Sequence, residues 1–283
     1  MRIFAVSDLH ADVCDAGDCA LRTLARRVNA EGRPGDVLLI GGDIAIDDAG
    51  IARCLDLFAP FAGAKGAVAG NHDIWVRGSA HASSLARHVA VQDIFRSRNF
   101  VPLEEEAMVV DGIGFVGAMG WYDGTFKDPG LHIDDHAYET KTLPGTDGPI
   151  WADAIRARWG ATDAEVSAWQ IRKLEARLAE VRGAREVVAL VHHVPTKRLL
   201  PYPHARWLVP AHWRFANAFL GSERLSETLA KVPEVRTVVN GHIHRSGGVS
   251  HRGARYVSIG GDYDAKQLLV IDRGRVGRQS FAP

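Results

Sequence analysis

Short apolar runs, each ended by Gly, Asn, Asp or His, are what most constrain the fold of this chain. They are Ile3–Val6, Val37–Ile40, Ala67–Ala69, Val187–Val191 and Thr237–Val239. Unbroken apolar character over three to five residues suits strands covered on both faces, as in a layered α/β protein. Between the runs, apolar residues recur at helical spacing in Leu21–Val28, Ile51–Phe58 and Val166–Val181, which predicts helices packed on the sheet. Asp111-Gly112, Arg252-Gly253 and Arg273-Gly274 separate further short strands and read as hairpins. The plan is α/β: two packed sheets with outer helices, rather than a simple doubly wound fold.

Two segments fit no regular element: 121–161, rich in Gly, Pro, Asp and Trp, and 196–221, with prolines at 201, 203 and 210 among aromatic residues. Stretches of this length inside a compact domain are usually binding loops or lids. One domain spanning 1–283 is expected, with these two insertions as cleft walls.

Composition removes several function classes. With 34 Lys+Arg against 34 Asp+Glu the formal net charge is zero, so the basic track that long nucleic acid requires is missing. No apolar run approaches the length of a membrane helix. The three cysteines, Cys14, Cys19 and Cys54, form no disulfide framework and predict a reducing, cytoplasmic setting.

The chemistry sits at the strand ends: Ser7-Asp8-Leu9-His10, Gly41-Gly42-Asp43, Gly70-Asn71-His72-Asp73, His192-His193 and Asn240-Gly241-His242-Ile243-His244. In open α/β sheets, ligands bind beyond the carboxyl ends of the strands, which brings all five clusters to one edge. Asp8, His10, Asp43, Asn71, His192, His242 and His244 offer two carboxylates, one amide oxygen and four imidazoles. That donor set suits Mn, Fe, Zn, Ni or Co, and it exceeds what one tetrahedral ion needs. In Asp8-x-His10 and His242-x-His244, an extended chain points both side chains of a pair to the same side.

The ordered set D-x-H, G-G-D, G-N-H-D, H-H and G-H-x-H resembles the calcineurin-like metallophosphoesterases, from Asp8 to His244. The resemblance implies a four-layer α/β/β/α sandwich. It implies one metal held by Asp8, His10, Asp43 and His244, and a second by Asp43, Asn71, His192 and His242, with Asp43 bridging. It implies hydrolysis of a small phosphodiester or phosphomonoester, nucleotides included, by a hydroxide bridging the two ions, with His72 assisting the leaving group. Asp73 either orients His72 or caps the following helix. Two other readings are a nuclease of the same superfamily and a non-catalytic interaction scaffold.

Candidate substrate-binding residues are Trp121, Tyr122, His193, Arg198 and Tyr202, aromatic faces beside cationic groups that suit a planar leaving group. The alternative is that these aromatic residues pack the insertions onto the domain. His193 is expected at the cleft rim or on nearby backbone. His81, His88, His132, His136, His204, His212 and His251 are expected at the surface, and Glu104-Glu105-Glu106 in a solvated turn. Gly112-x-Gly114-x-x-Gly117 matches a dinucleotide-binding pattern but lies in a hairpin strand with no following helix, and is set aside. Oligomeric state leaves no mark in the sequence.

Overall fold

The computed structural model describes residues 1–76, 81–201 and 209–283. The N-terminal third supplies β1 (Arg2–Val6), β2 (Val37–Ile40), β3 (Ala64–Ala67) and β4 (Val101–Pro102), with helices α1 (Asp15–Glu31), α2 (Asp48–Asp56) and α3 (Ser84–Ser97) between them. A second sheet takes β5 (Met108–Val110), β6 (Ile113–Ala118), β7 (Glu186–Val191), β8 (Val235–Asn240), β9 (Gly247–His251) and β10 (Ala254–Ser258). The chain then returns to the first sheet with β11 (Lys266–Asp272) and β12 (Arg275–Phe281). The orders are β12-β11-β1-β2-β3-β4 and β5-β6-β7-β8-β10-β9.

Alternation along the central strands shows why those runs are apolar throughout. In β1, Ile3 and Ala5 enter the core between the sheets, while Phe4 and Val6 face the layer containing Leu21, Leu24, Val28, Ile51 and Leu55. In β7, Val188 and Leu190 join the inter-sheet core; Val187, Ala189 and Val191 pack in the cluster holding Leu174, Leu178, Leu225 and Leu229. Those four leucines lie on α6 (Asp163–Glu180) and α8 (Glu223–Leu229); α4 (Asp135–Thr140) and α5 (Asp153–Arg156) precede α6, and α7 (Ala211–Ala216) lies between α6 and α8 in the chain. A strand with helices on one face and a sheet on the other has no polar face to spare. The four-layer α/β/β/α sandwich expected from the sequence is the architecture observed. Each of the three Asx-Gly or Arg-Gly signals turns an antiparallel pair, β5/β6, β9/β10 and β11/β12.

Local chemistry sets the helix starts. The Asp47 carboxylate accepts from the Gly50 amide at 2.6 Å before α2, and Thr162 with Glu165 forms a reciprocal capping box before α6. Helix α3 escaped the periodicity reading because it buries Arg87, His88 and Gln92 while exposing Leu85 and Val89.

Several expectations need correction. Strand β3 ends at Ala67, so the run Ala67–Ala69 is mostly the connection beyond it. The insertions are not structureless: 121–161 contains α4 and α5, and 196–221 contains α7. They pack on each other, Tyr138 stacking on Phe215 with ring centroids 4.6 Å apart. His88 is buried against Glu104 at 2.8 Å, and Glu104 also accepts from the Ala69 amide at 2.9 Å. Thus Glu104 belongs to an interior network, not a solvated turn, while Glu105 pairs with Lys173 and Glu106 with Arg96. Among the described residues, no helix is long and apolar enough to cross a membrane.

Candidate metal centre

Strands β1, β2 and β3 of the first sheet and β7, β8 and β10 of the second run parallel within their sheets, and loops from the carboxyl ends of both sets meet at one edge. Asp8 and His10 follow β1, Asp43 follows β2, and Asn71 and His72 follow β3. His192 follows β7, and His242 and His244 follow β8. Cross-sheet hydrogen bonds lock this edge: the His242 amide donates to Asp8 Oδ1 at 2.9 Å, and His192 Nδ1 meets the Gly41 carbonyl at 2.8 Å.

The donors gather into overlapping groups. Asp8, His10 and His244 form one, with His10 Nε2 3.2 Å from His244 Nε2 and His244 Nε2 3.6 Å from Asp8 Oδ1. Asp43, His192 and His242 form another, with His192 Nε2 3.1 Å from His242 Nδ1 and 3.4 Å from Asp43 Oδ1. Asn71 Oδ1 joins the second group, 3.1 Å from His192 Nε2. His10, Asp43 and His72 form a third group that shares a residue with each of the other two, Asp43 Oδ2 lying 3.8 Å from both His10 Nε2 and His72 Nε2. All seven expected donors therefore lie together, with Asp43 between the two groups.

The paired spacing works by a route other than the expected one. Asp8, His10, Asp43, His242 and His244 all have left-handed backbone, with φ of 55°, 40°, 51°, 74° and 50°. Neither Asp8-x-His10 nor His242-x-His244 is extended; tight left-handed turns aim each side chain inward. Such backbone costs an L residue roughly 1–2 kcal/mol, although Asp and His tolerate it better than most. Strain concentrated on five of the seven donors marks the edge as a functional site. Two glycines make the approach possible. A Cβ on Gly70 would collide with the Asp43 amide and Oδ1, and one on Gly241 would lie 2.8 Å from Asp8 Oδ2 and collide with Ser7 Oγ.

The electrostatics suit a cation. With His192 Nδ1 donating to the Gly41 carbonyl, its Nε2 lone pair faces two more acceptors, Asp43 Oδ1 and Asn71 Oδ1, and the His242 ring. Burial depresses the His10, His192 and His242 imidazoles and keeps them in the neutral form that ligates metals. Burial, and next the charge of Asp8, pushes the Asp43 carboxyl well above the usual carboxylate range. A positive ion among these groups relieves that repulsion and satisfies the converging lone pairs. Imidazole, carboxylate and amide oxygen without thiolate fit the borderline divalent metals.

Around the donors, Asp73 takes neither of its two expected roles. Its Oδ1 accepts from the Ile44 and Ala45 amides at 2.8 and 3.1 Å and its Oδ2 from the Gly70 amide at 2.7 Å, bracing the loops that carry Asp43 and Asn71. Burial raises its carboxyl to about 6, against the pull of those amides. His72 instead stacks on Trp75, ring centroids 3.7 Å apart, with its side chain 17% exposed at the edge.

The expected substrate residues divide. Trp121 and Tyr122 are buried, Trp121 Nε1 donating to Asp163 at 2.9 Å and the Tyr122 hydroxyl to Asp153 at 3.2 Å, so they pack the insertion rather than present a face to solvent. They line a cavity of about 960 Å³ whose walls contain none of the seven donors. His193 is buried and bonded to the Met119 carbonyl at 3.0 Å, on nearby backbone and away from the rim. Arg198 is exposed. Tyr202 lies outside the described residues, as do His204, Arg206 and Trp207.

Sequence reasoning missed Tyr263, whose 40%-exposed ring lies 4.6 Å from His10 and 5.0 Å from His244. It also missed Asp262, 3.3 Å from His244 Nδ1, and Asp153, the acceptor for Asn71. Gly260-Gly261 just ahead of an acid and an aromatic was the available signal for the first two.

A family model of calcineurin-like phosphoesterases matches residues 1–246. The chain belongs to this family. Membership indicates a metal-dependent phosphoesterase, a hydrolase, and the Asp/His groups are placed to bind metal. No curated protein matches the chain. Among solved structures it is similar to the phosphopantetheinyl hydrolase of Mycobacterium tuberculosis at 19% identity and TM-score 0.69, covering 92% of this chain and 89% of that one. A dimetal phosphatase from Danio rerio is similar at 15% identity and TM-score 0.56, covering 100% and 98%. The Plasmodium protein described as the anchor in the inner membrane complex is similar at 9% identity and TM-score 0.52, covering 100% and 84%. At these identities the likenesses speak for the fold.

Proposed function

We propose that this calcineurin-like phosphoesterase hydrolyses a small phosphodiester or phosphomonoester using two divalent metal ions. Asp8, His10, Asp43 and His244 would hold one ion and Asp43, Asn71, His192 and His242 the other. Bound there, the ions would supply charge neutralisation for phosphoryl oxygens and a water acidic enough to attack near neutral pH. The observation carrying this reading is that Asp43 belongs to two of the three donor groups, His72 being a member of one of them.

The chain's own residues do the rest. His72 has its backbone amide fixed on Asp43 Oδ1 at 2.9 Å and its ring held against Trp75, leaving Nε2 placed to protonate the departing oxygen. Tyr263 offers an exposed aromatic face at the rim, which supports a planar leaving group on either kind of ester. Zero formal charge weighs against long nucleic acid as substrate. Free thiols support a cytoplasmic role.

The test is His72→Ala assayed on alkyl phosphate monoesters and diesters, whose leaving alkoxide needs a proton, with Mn, Fe, Ni or Zn supplied. General-acid loss predicts a fall of about 10²–10⁴-fold with metal content intact. A fall below tenfold contradicts the role of His72, and absence of any turnover in the parent with every metal points to an interaction scaffold instead.

A further inference from the structure

Helix α5 comes from the first insertion, yet its first residue reaches the metal centre. Asp153 is buried, and among the described residues its carboxylate accepts hydrogen bonds from four donors. Oδ1 accepts from Asn71 Nδ2 at 3.0 Å and Trp75 Nε1 at 2.6 Å. Oδ2 accepts from Trp151 Nε1 at 2.9 Å and the Tyr122 hydroxyl at 3.2 Å. A carboxylate is acceptor-only, so the Asn71 NH₂ must turn toward Asp153 and its Oδ1 toward His192. At the far end of the same helix, the Arg156 guanidinium lies 4.9 Å over the Trp75 ring, which also stacks with His72 at 3.7 Å.

We propose that Asp153 is a positioning residue that fixes the Asn71 amide with its oxygen toward the metal centre, so that the 121–161 insertion completes the metal site rather than only walling the cleft. The inference rests on the two-ion reading above and assigns a task to a residue no sequence motif contains. An amide free to rotate presents NH₂ to the ion half the time, and pre-turning it removes that cost. Partners one step behind a metal ligand typically change affinity by about 10–100-fold when altered.

The experiment is equilibrium dialysis of the full chain against Mn²⁺, with bound metal counted by mass spectrometry. In Asp153→Asn, an amide donor replaces one oxygen and opposes a donor. Affinity for one of two ions should fall about 10–100-fold, with the other kept within about twofold. Asn71→Ala should weaken the same ion, and adding Asp153→Asn to it should change binding no further. Equal binding in Asp153→Asn and the parent overturns the proposal, as does an undiminished effect of Asp153→Asn in the Asn71→Ala background. A parent that binds fewer than two ions overturns the two-ion reading as well, which separates the two failures.

A second measurement needs no change at Asp153. The Asn71 side-chain amide signal of the metal-free parent, assigned by its loss in Asn71→Ala, should show one proton moved downfield by its bond to the Asp153 carboxylate and protected from exchange. A pair at ordinary Asn shifts that exchanges rapidly overturns the proposal.

Discussion

Replacing Asp43 by Asn tests the centre at the point where its two halves join. Asn is nearly isosteric and its Oδ1 can still accept from the His72 amide, as Asp43 Oδ1 does at 2.9 Å. It removes the one carboxylate common to two of the three donor groups and facing both proposed ions. An ion present at 100 times its Kd stabilises the folded state by about 2.7 kcal/mol, so two ions contribute about 5.4 kcal/mol. With an unfolding entropy of about 2.1 cal/mol/K per residue, the 283 residues of this chain turn that into a rise in Tm of about 9 °C. Differential scanning calorimetry with and without Mn²⁺ should show this rise in the parent and less than about 2 °C of it in Asp43→Asn. The metal-free variant should be at least as stable as the metal-free parent, because a buried carboxylate set against Asp8 and Asp73 is gone. If Asp43→Asn keeps the full metal-induced rise, or if its metal-free form melts well below the parent, Asp43 is not the shared ligand and the site's charge logic fails.

Two further outcomes follow from residues beside the centre. Gly70→Ala forces a methyl group into the Asp43 carboxylate and to 2.8 Å from the His192 ring, so Mn²⁺ affinity should drop by more than about tenfold; unchanged affinity would show that the Asp43 loop is not held where the structure places it. For Glu104, burial raises the carboxyl, but His88, Lys173 and the Ala69 amide outweigh it and hold the group below its usual range. Its stabilisation is present above pH about 4.5, the ordinary Glu value, and is lost as acid protonates it in the folded protein. Glu104→Gln should therefore lie about 2 kcal/mol below the parent in urea unfolding at pH 7, with the gap narrowing as pH falls below 4.5; a gap independent of pH refutes the charged pairing.

The sheets and the donors were legible because their signals are local. Strands buried on both faces must be apolar at every position, and a run such as Val187–Val191 followed directly by His192 announces both the strand and the candidate donor. The surroundings of the donors were not legible, because they depend on contacts distant in sequence. Glu104 looks like one of three surface acids until β3 brings the Ala69 amide to it, and Asp73 looks like a helix cap until three amides from two loops close on it. Asp153 sits 82 residues from Asn71 with no motif to link them. Helix α3 hid for a different reason: its inward side carries Arg87 and His88 to bind polar groups, so its apolar residues trace no stripe. The left-handed backbone at the donors was also invisible, since Asp and His adopt it only where surrounding structure compels them.

Four of the seven donors come from the first sheet and three from the second, on chain segments about 120 to 230 residues apart. On the proposed ligand assignment, neither half carries the full donor set of either ion. A nascent polypeptide that has emerged only as far as residue 180 already holds Asp8, His10, Asp43 and Asn71, but lacks every histidine that closes the cage. On that assignment full affinity for metal would arise late, once β7 and β8 have docked against β1 and β2, and the bound ions would then act as a latch across the seam between the sheets.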